Sequence, residues 1–231
     1  ALRMNIGGTL ILNGSISSEG KVGTGSYAGG GAGGSVWLSL ATWTGTGSIS
    51  ANGAPGILPG GGGGGGGRIS VSFNSNSFSG SITAYGGIGT NNAGAGTIYL
   101  KTNSQAFAQL TLDNGGNAGT NTTFDSGLYD LAIVGKAAAQ ISTSVSVRHL
   151  RVGSNSTLMA TATFSPLTLS ITASGDVTVD TGGAISMDGQ GYTAGQGPGG
   201  GYTSQPPRGG GGHGGIGGAN PGSRTSGVGS A

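Results

Sequence analysis

The chain has 231 residues, of which 56 are glycine, none is cysteine and 7% are charged, with nine Lys and Arg against seven Asp and Glu for a net charge of +2. This excludes an ordinary globular domain and a charge-rich disordered segment; with 7 prolines and no glycine at every third residue, it also excludes a collagen. Charge so sparse and scattered leaves no nucleic-acid footprint, and no stretch approaches the roughly 18 apolar residues of a membrane span.

The first predicted element is a strand, Leu2-Arg3-Met4-Asn5-Ile6, which aligns with Val36-Trp37-Leu38-Ser39-Leu40 at an offset of 34. Next comes the heptapeptide Gly-Ser-Ile-Ser/Thr-x-x-Gly, which begins at Gly14 and again, 33 residues on each time, at Gly47 and Gly80. A fixed period of this size marks stacked units that bury their faces against neighbours and not in one central core. Each unit runs in the same order: an alternating strand, a turn, the Gly-Ser-Ile strand and a glycine-rich return. The Asn13-Gly14 and Asn52-Gly53 pairs are expected to supply positive-φ turn positions.

The strands after the glycine runs, Ser35-Val36-Trp37-Leu38, Arg68-Ile69-Ser70-Val71 and Thr97-Ile98-Tyr99-Leu100, have period two. Val36, Leu38, Ile69, Val71, Ile98 and Leu100 form the apolar face, with Trp37, Ser70 and Tyr99 opposite. A run such as Gly60 to Gly67 has no side chain to bury, so only its peptide groups can hold it in place. Its expected form is an extended threefold helix of the polyproline II type. At about 3.1 Å per residue, eight such residues run alongside a seven-residue strand. Arg68 is expected to cap carbonyls at the end of this lattice; without a Gly-Lys-Ser/Thr ending or a following helix, the run is not a phosphate loop.

Asn114-Gly115-Gly116 ends a degenerate further copy, and from Lys101 to Gly182 glycine thins out. Here Val134-Gly135 and Val152-Gly153 align 18 residues apart and suggest a shorter rung of about that length, followed by strands at Leu167 to Ile171 and Val177 to Val179. Ala137-Ala138-Ala139 has too little room between its flanking strands for a helix. The heptapeptide pattern returns at Gly183 to Gly189, and a glycine-rich tail runs from Gly195 to Ala231 with no strand after it. The chain therefore divides into residues 1–100 (33-residue glycine-rich repeats), 101–182 (glycine-poor rungs) and 183–231 (a glycine-rich half-repeat continuous with the same elongated domain). The expected fold is all-β: a β-solenoid, parallel β-helix-like, with packed polyglycine II-type segments and no significant α-helix.

Gly33 to Leu38, Gly47 to Gly53, the polyglycine-Arg-Ile-Ser-Val run to Val71, Ala95 to Lys101 and Gly211 to Gly215 resemble the glycine-rich repeat regions of large bacterial surface and secreted proteins. The resemblance implies an extracellular, elongated, non-enzymatic module and names no ligand.

Chemistry-bearing constellations are sparse. His213 has only His149 as a second imidazole, too few for a metal centre, and Asp176 with Asp180 falls short of a calcium loop. Asp and Glu stand mostly where strand meets turn, which suits bonds to local backbone. No catalytic residue, cofactor or metal site is expected. Asn13, Asn121 and Asn155 lie in Asn-x-Ser/Thr sequons, expected unmodified in a bacterium, and Thr161-Ala162-Thr163 does not recur as an ice-binding lattice would require. Trp37, Trp43, Tyr85 and Tyr99 are the candidates for an aromatic strip that stacks on surface glycans.

The chain opens on Ala with a strand that no glycine run precedes, as a processed or excised piece would. The expected function is thus a secreted structural subunit, a homopolymer joined head to tail into a filament or surface layer. Its assembly residues are Leu2, Met4 and Ile6 at one end, with Gly209, Gly210, Gly211, Gly212, Gly214, Gly215 and Val228 at the other. The alternative is an adhesin module for glycan or ice, cut from a longer repeat protein.

Overall fold

The computed structural model describes residues 1–141, 144–160, 169–192, 196, 199–200 and 210–218. Thr161, Leu167, Gly209 and Val228 lie outside them. The described residues contain strands and turns and no helix. They begin with β1 (Leu2–Ile11), β2 (Ser15–Ser17), β3 (Ser35–Gly45), β4 (Ser48–Ser50), β5 (Arg68–Phe78), β6 (Ser81–Thr83) and β7 (Thr97–Thr102). There follow β8 (Ala108–Asp113), β9 (Asn121–Thr123), β10 (Tyr129–Val134), β11 (Ala138–Ile141), β12 (Ser144–Val147), β13 (Leu150–Val152), β14 (Thr157–Ala160), β15 (Ser170–Ala173), β16 (Val177–Val179) and β17 (Ala184–Ser186).

Two compact units divide the chain. The first holds residues 1–159 and 169–186, and the second residues 160–168 and 187–231. In the second, Gly210 donates to the Gly218 carbonyl at 2.9 Å and His213 bridges Gly215 across Gly214, whose φ is 69°.

An eight-stranded sheet ordered β1-β3-β5-β7-β8-β10-β13-β16 spans the first unit. Its first four strands are parallel with like positions side by side, Leu2 opposite Val36, Val36 opposite Ile69 and Ile69 opposite Ile98, at offsets of 34, 33 and 29 residues. Gly7 and Gly8 together oppose Ala41, a β-bulge that bends β1. Beyond it the buried parity of β3 switches, so that Val36, Leu38 and Leu40 are buried and so is Trp43. The heptapeptides stack as a second, three-stranded sheet, β2-β4-β6, with Ile16, Ile49 and Ile82 in register. Between these sheets lies the first core, with Leu38, Ile49, Ile69 and Val71 fully buried.

The glycine-rich returns close this core with a lattice of backbone hydrogen bonds whose period is three. Gly30 and Gly33 donate to Gly62 and Gly65; Gly63 and Gly66 donate to Asn91 and Gly94; Gly64 and Gly67 donate to Ala54 and Ala51. Gly61, Gly64 and Gly67 are buried and the residues between them are half-buried. A Cβ at Gly64 would strike the Gly31 carbonyl and one at Gly67 the Gly34 carbonyl, whereas one at Gly65 would meet nothing within 4 Å. Glycine is therefore required at the buried third positions by the closeness of neighbouring backbone.

At β7 the direction reverses. β8 pairs with it antiparallel, placing Tyr99 opposite Leu110 and Leu100 opposite Gln109. Residues directly opposite share a face. Leu100 packs on the first core and Gln109 is exposed, while Leu110 belongs to a second core and Tyr99 packs on it. The buried face thus passes to the other side of the sheet. Strand direction and buried face invert together at this pair.

The second core, which includes Leu112, Leu131, Ile133, Leu150 and Leu158, lies among β8, β10 and β13, the sheet β17-β14-β11-β9 and the pair β12-β15. Ala138 and Ala139 are strand residues, as their short spacing requires. Three expectations are corrected. Ile133, not Val134, stands opposite Val152, giving an offset of 19 and not 18; the 18-residue alignment would turn the buried Ile133 outward. The Gly183 pattern does not join β2-β4-β6: Ala184–Ser186 pairs with Thr157–Met159 instead. Neither Gly14 nor Gly53 has positive φ, which falls instead at Gly45, Gly115 and Gly116 among others.

Candidate functional site

Two surfaces of the first unit carry exposed, organised chemistry. The first is the edge of the eight-stranded sheet. β1 is ten residues long and, among the described residues, has β3 as its single neighbour. A strand in this position presents a row of unpaired N–H and C=O groups, a template for another strand. Its core-facing residues are incompletely covered: Met4 and Ile6 are half-buried, whereas Leu38 and Leu40, which stand opposite them, are buried. Leu2 is 36% exposed. At the repeat positions behind this edge, side-chain amides tie one copy to the next. Asn52 accepts from the Tyr85 amide at 2.6 Å and donates to Glu19 at 3.3 Å, so positions 19, 52 and 85 form a ladder.

Of the expected assembly residues, Leu2, Met4 and Ile6 lie together on β1, and Gly210, Gly211, Gly212, Gly214 and Gly215 lie in the second unit. The four aromatic candidates do not form a strip. Trp43 is fully buried, stacked on Phe78 with centroids 4.3 Å apart, because the buried side of β3 changes between Leu40 and Trp43. Tyr99 packs on the second core, and Tyr85 lies against Gly115, its phenol pKa raised by burial and then by Asp113. Trp37 alone of the four is strongly exposed, with the Arg3 guanidinium 4.4 Å above its ring. Arg68 caps nothing with its side chain, which makes no hydrogen bond among the described residues; its amide donates to Gly34.

The second surface was not expected from sequence. On the outward face of β8, β10, β13 and β16, Gln109, Asp130, His149, Arg151, Asp176 and Thr178 line an open depression of about 270 Å³. Register brings them together: Gln109 is opposite Asp130, and Arg151 opposite Thr178. Arg148 grips Asp130 through both carboxylate oxygens, with Nε to Oδ1 at 2.8 Å, and its guanidinium lies 4.8 Å over Phe107. This charge-assisted hydrogen bond and the positive charge hold the Asp130 carboxyl below its ordinary value. Arg151 binds Asp180 at 2.8 Å. His149 Nδ1 accepts from the Asp176 amide at 2.9 Å, and Gly175 leaves room for the imidazole that a side chain would displace. Beneath this face the Tyr129 phenol is pushed up to about 12 by burial and then by the charge of Asp125.

No family model, curated protein or solved structure matches this chain. What the charged face can do follows from its own chemistry. Asp130 is held ionised by Arg148, which makes it a poor proton donor near neutral pH. Among the described residues no cluster of three or more His, Cys, Asp or Glu is arranged to hold a metal ion. Asp113 behaves as a local turn acid, accepting from the Gly115 amide at 2.9 Å, whereas Asp130 and Asp180 are bound to arginines and Glu19 to the next repeat. The signal for the cluster was the alternation on β10 and β13, which places Asp130 and Arg151 outward; their convergence depends on rung lengths that sequence alone did not fix.

Proposed function

We propose that this chain is an extracellular structural protein, a β-solenoid backed by polyglycine II-type helices, that builds a filament or surface layer by adding copies end to end. The observation that carries this reading is the edge strand β1: ten residues, one neighbour among the described residues, and core-facing Met4 and Ile6 left half-covered. The period-three hydrogen bonding of the glycine runs supports the polyglycine part, since a threefold helix directs successive N–H groups to different neighbours. The sparse charge and the absence of cysteine are compatible with a surface location. Each added copy would extend the stack by its own eight-stranded sheet.

Electron microscopy and sedimentation velocity of the purified chain test the proposal. Polymers that lengthen with concentration are expected, and a chain lacking residues 1–6 is expected to keep its β-sheet circular dichroism while failing to polymerise. Fibres from the truncated chain that equal the native ones would refute the docking role of β1.

A further inference from the structure

The face of the first unit that β1 and β2 present is continuous with two interfaces already formed inside the chain, where copy rests on copy. Comparing equivalent positions shows what this face is shaped to receive. At Gly47 a Cβ would strike the Gly14 carbonyl, and at Gly80 it would strike the Gly47 carbonyl. Gly14 is the same position one copy earlier, yet a Cβ there would meet nothing within 4 Å and its φ is unexceptional. No contact among the described residues requires glycine at position 14.

Three further equivalences agree. Ser48 donates its amide to Gly14 at 2.9 Å and Ser81 to Gly47 at 3.1 Å, while Ser15 has no such acceptor among the described residues. In the glycine layer, the carbonyls of Gly62 and Gly65 accept from Gly30 and Gly33, but their equivalents Gly29 and Ala32 are exposed and receive no donor among the described residues. Ile16 is half-buried where Ile49 is fully buried.

From these we infer that the face formed by β1, Gly14-Ser15 and the Gly29 to Ala32 carbonyls docks a second copy of this chain through a glycine-rich rung of the same 33-residue kind. The incoming rung sets a backbone carbonyl against Gly14, takes the Ser15 amide and donates N–H groups to Gly29 and Ala32. The occupant is recognised by its backbone: it must offer a strand beside β1 and a glycine run beside Gly29, spaced as they are within this chain. Side chains other than glycine in that run would strike the layer, as they would at Gly64 and Gly67. The inference rests on the assembly reading above and narrows it to particular atoms.

Two variants separate docking from folding. Gly14→Ala puts one methyl into open space in the single chain, but against a carbonyl once a rung is seated. Ser15→Pro deletes the free amide at the first residue of a strand, where proline is tolerated. Gly65→Ala makes the same chemical change as the first, in open space away from this face. In sedimentation velocity over a hundredfold concentration range, the native chain and Gly65→Ala are expected to associate alike. Gly14→Ala and Ser15→Pro, with melting temperatures unchanged, are expected to associate at least tenfold more weakly. Native assembly that survives in both variants overturns this inference while leaving end-to-end assembly standing. A native chain that stays monomeric throughout overturns both, and then excludes a second copy as the occupant.

Discussion

Tyr99 stands opposite Leu110 in the antiparallel pairing of β7 with β8, and at that pair the outward face of the first stack becomes the buried face of the second. One strand earlier in the sheet the position beside Tyr99 is Ser70, which is half-buried and belongs to neither core. An aromatic ring is needed at the junction because the new core begins there.

Tyr99→Ser, which restores the residue of the preceding strand, is therefore expected to destabilise the protein by about 2 kcal/mol through lost apolar burial. Urea denaturation followed by circular dichroism measures this. A change under about 0.5 kcal/mol would mean that Tyr99 contributes little to the second core.

The glycine layer makes a positional prediction. Gly64→Ala is expected to cost about 1–3 kcal/mol, because the methyl meets the fixed carbonyl of Gly31 and the backbone must shift. Gly65→Ala, one residue on, is expected to be neutral or to stabilise by about 0.4–1 kcal/mol, since it restricts the unfolded chain and meets nothing. Thermal melts of the two variants side by side check the pattern; equal losses would contradict it.

Asp130 sets an acid limb to stability. Its pKa is depressed in the folded state by Arg148, so its contribution is complete above the ordinary carboxylate value of 3.8 and is lost as pH falls through the lowered one. Asp130→Asn is expected to cost about 1 kcal/mol at pH 7, the discounted value of a half-exposed pair, and to flatten the fall in melting temperature below pH 4. Melting temperatures from pH 2 to 7 read both effects, and an unchanged acid limb in the variant would sink the assignment.

Tyr129 sets an alkaline limb of opposite sign. Its phenol titrates near 10 when unfolded and at about 12 when folded, so the folded form retains its proton longer. Stability present below pH 10 is lost as pH rises toward 12. Tyr129→Phe is expected to lack that loss, as chemical denaturation at pH 8, 10 and 11.5 would reveal; a parallel decline in both proteins would assign it elsewhere.

The parallel pairing of the first stack was readable because both of its signals are local. Val36, Ile69 and Ile98 each begin an alternating strand after a glycine run, and the 33-residue offset of the Gly-Ser-Ile copies is also that of Val36 and Ile69. The reversal at β8 was not readable, because Tyr99 alternates in its strand just as Ser70 does, and only its partner reveals the change of face. The 18-residue spacing misled for a related reason. Val134 and Val152 look alike, but pairing is set by which residue faces the core, and that residue is Ile133. The charged face stayed hidden because Asp130 and Arg148 are 18 residues apart and Arg151 and Asp180 are 29 apart, distances that unequal rungs happen to close. Trp43 was misplaced because strict period-two alternation does not anticipate the change of buried side within β3 between Leu40 and Trp43.

The seating of Gly47 over Gly14 is repeated by Gly80 over Gly47. The two floors are thus interchangeable: duplicating one 33-residue stretch of the gene would insert a storey about 4.8 Å high whose upper and lower contacts already exist. Length in this architecture can be adjusted by copy number, like adding links to a chain, without any residue having to be invented for the new joint.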